Sequence, residues 1–133
     1  MGTELELILR LFLAAILGAG IGLQRELAGK PAGLRTLVLI SLGCALFSIA
    51  SSRGFGPPSD PSRVAAGVVA GIGFLGAGTI IRGEGGFVVG LTTAASIWVA
   101  AAVGLAAGAG LYLLSVVAAA LSLIVLFLPK IRE

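Results

Sequence analysis

The chain has 133 residues and a formal net charge of +3, with 58% of its residues hydrophobic and 11% charged, where a soluble domain carries roughly 45–50% and about 25%. That balance excludes a soluble globular domain. The lack of histidine and the single cysteine, Cys44, exclude an internal disulfide, a paired-cysteine zinc site and most familiar catalytic constellations.

The expected fold class is all-α, a polytopic membrane helix bundle of about five transmembrane helices forming a single domain over residues 1–133, without enzymatic activity. At about 20 residues per span the length holds at most about six. The 21 glycines and the 6% aromatic share suit closely packed helices better than a β-barrel with aromatic girdles.

The first apolar run covers residues 5–23, broken only by Glu6 and Arg10, and closes at Gln24, Arg25 and Glu26. It opens without a basic stretch and is long enough to span, so no cleavable signal peptide is expected. Glu6 stands one turn before Arg10, a spacing suited to an ion pair within the helix. Snorkelling of Arg10 with Glu6 and pairing of Arg10 with Asp60 both remain open. Gly18 and Gly22 repeat at four residues, which marks a helix-packing face.

The second run, 34–51, has Arg35 and Thr36 at its start and Ser51, Ser52 and Arg53 at its end. The loop that follows ends in Asp60 and Pro61, read as an N-cap with proline at the first helical position. Asp60 and Glu26 are also the carboxylates held as candidate metal ligands.

The third run, 64–81, stops at Arg82. On a wheel of about 100° per residue Gly67, Gly71 and Gly78 fall within about 40° of one another, with Gly73 and Gly76 on the far side. A helix slim on two faces is expected at the centre of the bundle or in a dimer interface. The segment from Gly71 to Gly78 either packs in this way or is partly unwound and offers carbonyls to an ion.

The fourth and fifth runs, 91–107 and 111–128, are separated by Gly108, Ala109 and Gly110. One continuous helix of that length would measure about 57 Å, against a hydrocarbon core of about 30 Å, so two spans are expected. Gly104 and Gly108 again repeat at four residues. Thr92 and Ser96 share a face, suited to interhelical hydrogen bonds or to a polar path. Trp98 reads as packing or an interface anchor.

With five spans, Arg25, Lys30, Arg35, Arg82, Lys130 and Arg132 share one side, while Arg53 and Arg63, with Arg10 if it snorkels outward, share the other. This asymmetry places the N-terminus outside and the C-terminus in the cytoplasm. Basic residues at the interface face anionic lipid, so the charge implies no nucleic-acid partner. Glu26, set among Arg25, Lys30 and Arg35, is expected to be neutralised locally. Arg35 is a candidate for bidentate pairing with Glu26 or Glu84.

Four segments in order resemble the signatures of the MgtC/SapB membrane domain. They are Arg25, Glu26, Lys30, Pro31, Gly33, Arg35 and Thr36; then Asp60 to Arg63; then the glycine run from Gly71 through Gly73 and Gly76 to Gly78; then Gly90 to Trp98 with Thr92, Thr93 and Ser96. The resemblance implies a five-span, multi-pass bacterial inner-membrane protein linked to magnesium limitation and, in some pathogens, to survival inside host cells. It implies a regulator that restrains an F-type ATP synthase through helix packing, or alternatively a transporter or channel for magnesium or another cation. No cofactor is expected beyond magnesium itself. The lipid bilayer, a second copy of the chain in a homodimer and a larger membrane assembly such as the ATP synthase are the expected partners. Family members of this kind carry a soluble domain after the fifth span, so the chain, ending at Glu133, is expected to be a short or truncated member.

Overall fold

The computed structural model describes residues 3–129. Lys130 and Arg132, two of the six basic residues expected on the cytoplasmic side, lie outside these residues, as do Glu133 and the side chain of Glu84. The elements are α1 (Thr3–Leu27), α2 (Leu34–Arg53), α3 (Ser62–Ala77), β1 (Ile81–Arg82), a 3-10 turn (Glu84–Gly86), β2 (Val88–Val89), α4 (Leu91–Gly108) and α5 (Tyr112–Phe127). The chain is an all-α membrane helix bundle with one small hairpin.

Helices α1, α2 and α4 are each long and apolar enough to cross a membrane. Helices α3 and α5 have 16 residues each, about 24 Å at 1.5 Å per residue, less than the hydrocarbon core of about 30 Å. The third run is therefore shorter than the expected 64–81. It stops because the Thr79 N–H and hydroxyl both donate to the Gly76 carbonyl, at 3.0 and 2.7 Å, which closes the last turn. The chain then folds back, with Ile81 paired to Val89 and Arg82 to Val88 in antiparallel register. Gly71 to Ala77 stay helical, so this part of the glycine run is not unwound.

Two helix ends use one device. Gly29 (φ 70) and Gly110 (φ 88) are left-handed. Lys30 N–H donates to the Arg25 carbonyl and Gly29 N–H to that of Glu26; in the same pattern Leu111 N–H donates to Ala106 and Gly110 N–H to Ala107. This paired closure needs a residue at positive φ, which glycine takes without a Cβ clash. It makes the 108–110 segment a tight helical hairpin, as expected.

The slender helix at the centre is α4, which packs against all four other helices. Its Ala100, Ala101, Val103, Gly104, Ala107 and Gly108 are buried, and Ile21, Leu37 and Ala119 close on it from α1, α2 and α5. The expectation that α3 occupies the centre is corrected. It touches α4 and α2 from outside, and a β-carbon on Gly67, Gly71 or Gly73 would meet nothing within 4 Å. Close packing falls instead to Gly18, Gly22, Gly104 and Gly108, where an added β-carbon would fall 2.1–2.8 Å from α2 atoms.

Candidate functional site at the Arg25 end of the bundle

The last turn of α1 carries Arg25 one turn beyond the fully buried Ile21, so the same helix face turns the guanidinium inward, leaving it 3% exposed. Its Nη2 donates to the Pro31 carbonyl at 2.9 Å and to Thr93 Oγ1. Its Nε is buried and has no partner. Pro31 belongs to the α1–α2 loop, which turns at Ala32 through a left-handed backbone (φ 57).

Thr93 sits in the first turn of α4. That turn is set by Gly90 (φ 96), where a β-carbon would fall 1.9 Å from the Thr79 carbonyl oxygen, so glycine alone lets the incoming chain pass α3's end. The first intrahelical bond of α4 runs from Ala94 N–H to the Gly90 carbonyl, which leaves the amides before it at the positive pole of the helix. Arg25, Lys30, Thr79, Gly90 and Thr93 line a crevice of about 650 Å³.

Glu26 does different work from that expected. Its Oε1 accepts the Leu34 N–H at 3.1 Å, placing a carboxylate on the N-terminus of α2, and a β-carbon at Gly33 would fall 2.2 Å from that oxygen. It makes no ion pair with Arg25, Lys30 or Arg35, so local neutralisation by those cations is not what holds it. Arg35, Thr36 and Lys30 are exposed. The Arg35 pairing with Glu26 does not form, and its pairing with Glu84 lies outside the described side chains.

Asp60 stands at the opposite end of the bundle, exposed, as does Arg63. Its Oδ1 accepts the Ser62 hydroxyl at 2.7 Å and the Ser62 N–H at 2.9 Å, and these bonds hold its carboxyl below the usual range. Pro61 already has helical dihedrals (φ −60, ψ −26), so Asp60 acts as the cap with proline in the first helical position. Asp60 and Glu26 are thus apart, and among the described residues no group of three His, Cys, Asp or Glu side chains comes together. In α4, Ser96 donates to the Thr92 carbonyl of its own helix at 2.8 Å, and Thr93 makes a bond to another helix through Arg25. Trp98 is exposed on the outer surface of α4.

The MgtC family model matches residues 11–133, which includes Arg25, Glu26, Asp60 and Thr93. The chain belongs to the MgtC family. It is 50% identical over 129 residues to YhiD of Escherichia coli K12, covering 91% of this chain and 59% of that protein. It is 52% identical over 98 residues to MgtC of Brucella abortus strain 2308, covering 74% and 40%, and 41% identical over 114 residues to SapB of Bacillus subtilis strain 168, covering 80% and 49%. The chain spans about half the length of these relatives. No solved structure matches it.

This MgtC-family bundle has a second polar cluster, at its other end, that centres on Arg10. Arg10 Nη2 meets Glu6 Oε2 at 2.8 Å, Nε donates to the Tyr112 hydroxyl at 2.9 Å, and Nη1 donates to the Gly108 carbonyl at 3.0 Å. Tyr112 in turn donates to Glu6 Oε2 at 2.7 Å. Arg10 therefore clamps α1 to the α4–α5 turn and does not reach Asp60. The part of Tyr112 went unread in the sequence; its position just after Gly110, as the one tyrosine of the chain, was the signal available.

Proposed function

We propose that this chain is the membrane part of a magnesium-linked regulator, a multi-pass protein of the bacterial inner membrane with its N-terminus outside and its C-terminus in the cytoplasm. It acts by packing a helix face against a larger membrane assembly of the ATP-synthase type or against a second copy of itself. The observation that carries this reading is the unpartnered face of α3, where Gly67 and Gly71 meet nothing within 4 Å. Association in lipid depends on close van der Waals contact between small residues, and α3 keeps small residues where its own bundle makes no use of them.

The name of the YhiD relative refers to magnesium transport, so ion passage is the second reading. A magnesium path needs oxygen ligands, usually one or two carboxylates, where the ion sheds water. Here Glu4, Glu6, Glu26, Asp60, Glu84 and Glu133 lie in or near span ends by chain position, which favours regulation. The test is a single cysteine at Gly67 in a Cys44→Ala background, crosslinked in native membranes. A covalent product with a membrane partner or a second copy is expected, and monomer alone sinks the packing role. Magnesium flux into vesicles holding this chain alone, above protein-free vesicles, would restore the transporter.

A further inference from the structure

Among the described residues Arg25 is a buried cation without an anion. Its guanidinium is met by a carbonyl and a hydroxyl through Nη2 alone, Nε is unpartnered, and the ion pair found among the described residues, Arg10 with Glu6, lies at the other end of the bundle. A charge removed from water without a counter-charge is costly. The carboxylate nearest in sequence, Glu26, is committed to the Leu34 amide.

Among the described residues the crevice lining supplies positive potential and no negative side chain. Lys30 and the amide end of α4 at Gly90 line the same crevice of about 650 Å³. Amides at the start of a long helix favour oxyanions, and a guanidinium fork matches two oxygens of a phosphate.

The crevice does not end there. A second groove, of about 530 Å³, runs between α4 and α5 along Ala95, Val99 and Leu121. Thr92, Val125 and Leu126 line both cavities. A cationic chamber thus opens into an apolar channel on the outer surface of a membrane bundle. Free phosphate would use the first part only.

We propose that the crevice binds the phosphate of a membrane phospholipid through Arg25, Lys30 and the N-terminus of α4, with an acyl chain of that lipid in the α4–α5 groove. The lipid supplies an anion to Arg25, which has none among the described residues, and seals the gap between α1, α4 and α5. The site lies away from the glycine face of α3, so it stands or falls apart from the packing role.

The test titrates phosphatidylglycerol, diacylglycerol and inorganic phosphate into the full chain in a mild neutral detergent, read by native mass spectrometry and thermal unfolding. One phosphatidylglycerol per chain is expected, with diacylglycerol and inorganic phosphate each binding about tenfold or more weaker, the size of one charge-assisted bond. Arg25→Gln and Lys30→Gln should each weaken phosphatidylglycerol by about tenfold. Because Arg25→Gln removes a buried group that also holds Pro31 and Thr93, Ala95→Phe is the companion variant. It fills the groove from an exposed position and should weaken phosphatidylglycerol while leaving the weak phosphate binding unchanged. Undiminished phosphatidylglycerol binding in both Lys30→Gln and Ala95→Phe overturns the proposal. Inorganic phosphate binding as tightly as the lipid, with Ala95→Phe without effect, also overturns it in favour of a free-anion site.

Discussion

Gly104 of α4 lies so close to Ser41 of α2 that a β-carbon on the glycine would fall 2.1 Å from the serine carbonyl oxygen. On the other side of the same serine, a β-carbon on Gly18 of α1 would fall 2.8 Å from its Cβ, and the Ser41 hydroxyl donates to the Ala14 carbonyl of α1 at 2.8 Å. Three helices meet around one buried serine because two glycines make room for it. Gly104→Ala must push backbone apart and should destabilise the bundle by about 1–3 kcal/mol. Gly43→Ala, on α2 where nothing stands within 4 Å, should be neutral or gain up to about 1 kcal/mol from helix propensity. Thermal unfolding in a mild detergent reads both, and equal losses would show that the Ser41 contact is unimportant.

The Arg10 clamp should behave as a coupled unit, because Glu6 Oε2 receives both Arg10 and Tyr112. Arg10→Lys keeps the charge and loses the fork that reaches Glu6, Tyr112 and Gly108 together, so it should lower stability by about 1–2 kcal/mol. Glu6→Gln and Tyr112→Phe combined should lose less than the sum of the two single changes, with a coupling of about 0.5–3 kcal/mol in a double-mutant cycle. Strict additivity would mean that the contacts do not act together.

Much of the architecture was legible because lipid imposes a simple rule: apolar runs of span length become helices, and glycine at positive φ marks their ends. The α4–α5 hairpin at Gly110 and the Asp60–Pro61 start of α3 follow from such local signals. The place of α3 did not. A glycine stripe says that a neighbour can come close, and Gly18 or Gly104 looks the same in sequence as Gly67 or Gly71; which stripe is used depends on how the helices assemble. The inward turn of Arg25 was equally hidden. It is set by the rotation of α1's last turn against Thr93, 68 residues away, and an arginine beside Glu26 reads as an interfacial charge until that contact is known. The Ile81–Val89 hairpin pairs two residues a side, too short for alternation to register.

Glu26 and Gly33 make a joint prediction at the start of α2. A β-carbon at Gly33 would occupy the space of Glu26 Oε1, at 2.2 Å, so Gly33→Ala should displace the carboxylate from the Leu34 amide. The loss should match that of Glu26→Ala, about 0.5–2 kcal/mol, the range of a lost N-terminal cap. Once one is made the other should cost little more. If the double variant loses the full sum in thermal unfolding, the glycine serves some purpose other than admitting the carboxylate.

The two sides of α3 should respond oppositely to bulk. Gly76 faces α4, where an added β-carbon would meet Ala94 Cβ at 3.6 Å, so Gly76→Leu forces a larger side chain between two packed helices and should lower the stability of the monomer by about 1–3 kcal/mol. Gly67 faces nothing within 4 Å, so Gly67→Leu should leave the monomer's unfolding temperature unchanged or raise it slightly, since leucine is the better helix former. What Gly67→Leu should lose is association, because the side chain holds an approaching backbone away and the contact in lipid depends on that approach. Size-exclusion chromatography in mild detergent and crosslinking in native membranes separate the two effects. A Gly67→Leu protein that unfolds as readily as Gly76→Leu would place a neighbour of the same chain on the outer face of α3, and a Gly67→Leu protein that still crosslinks to the same product at the same yield would remove that face from the contact.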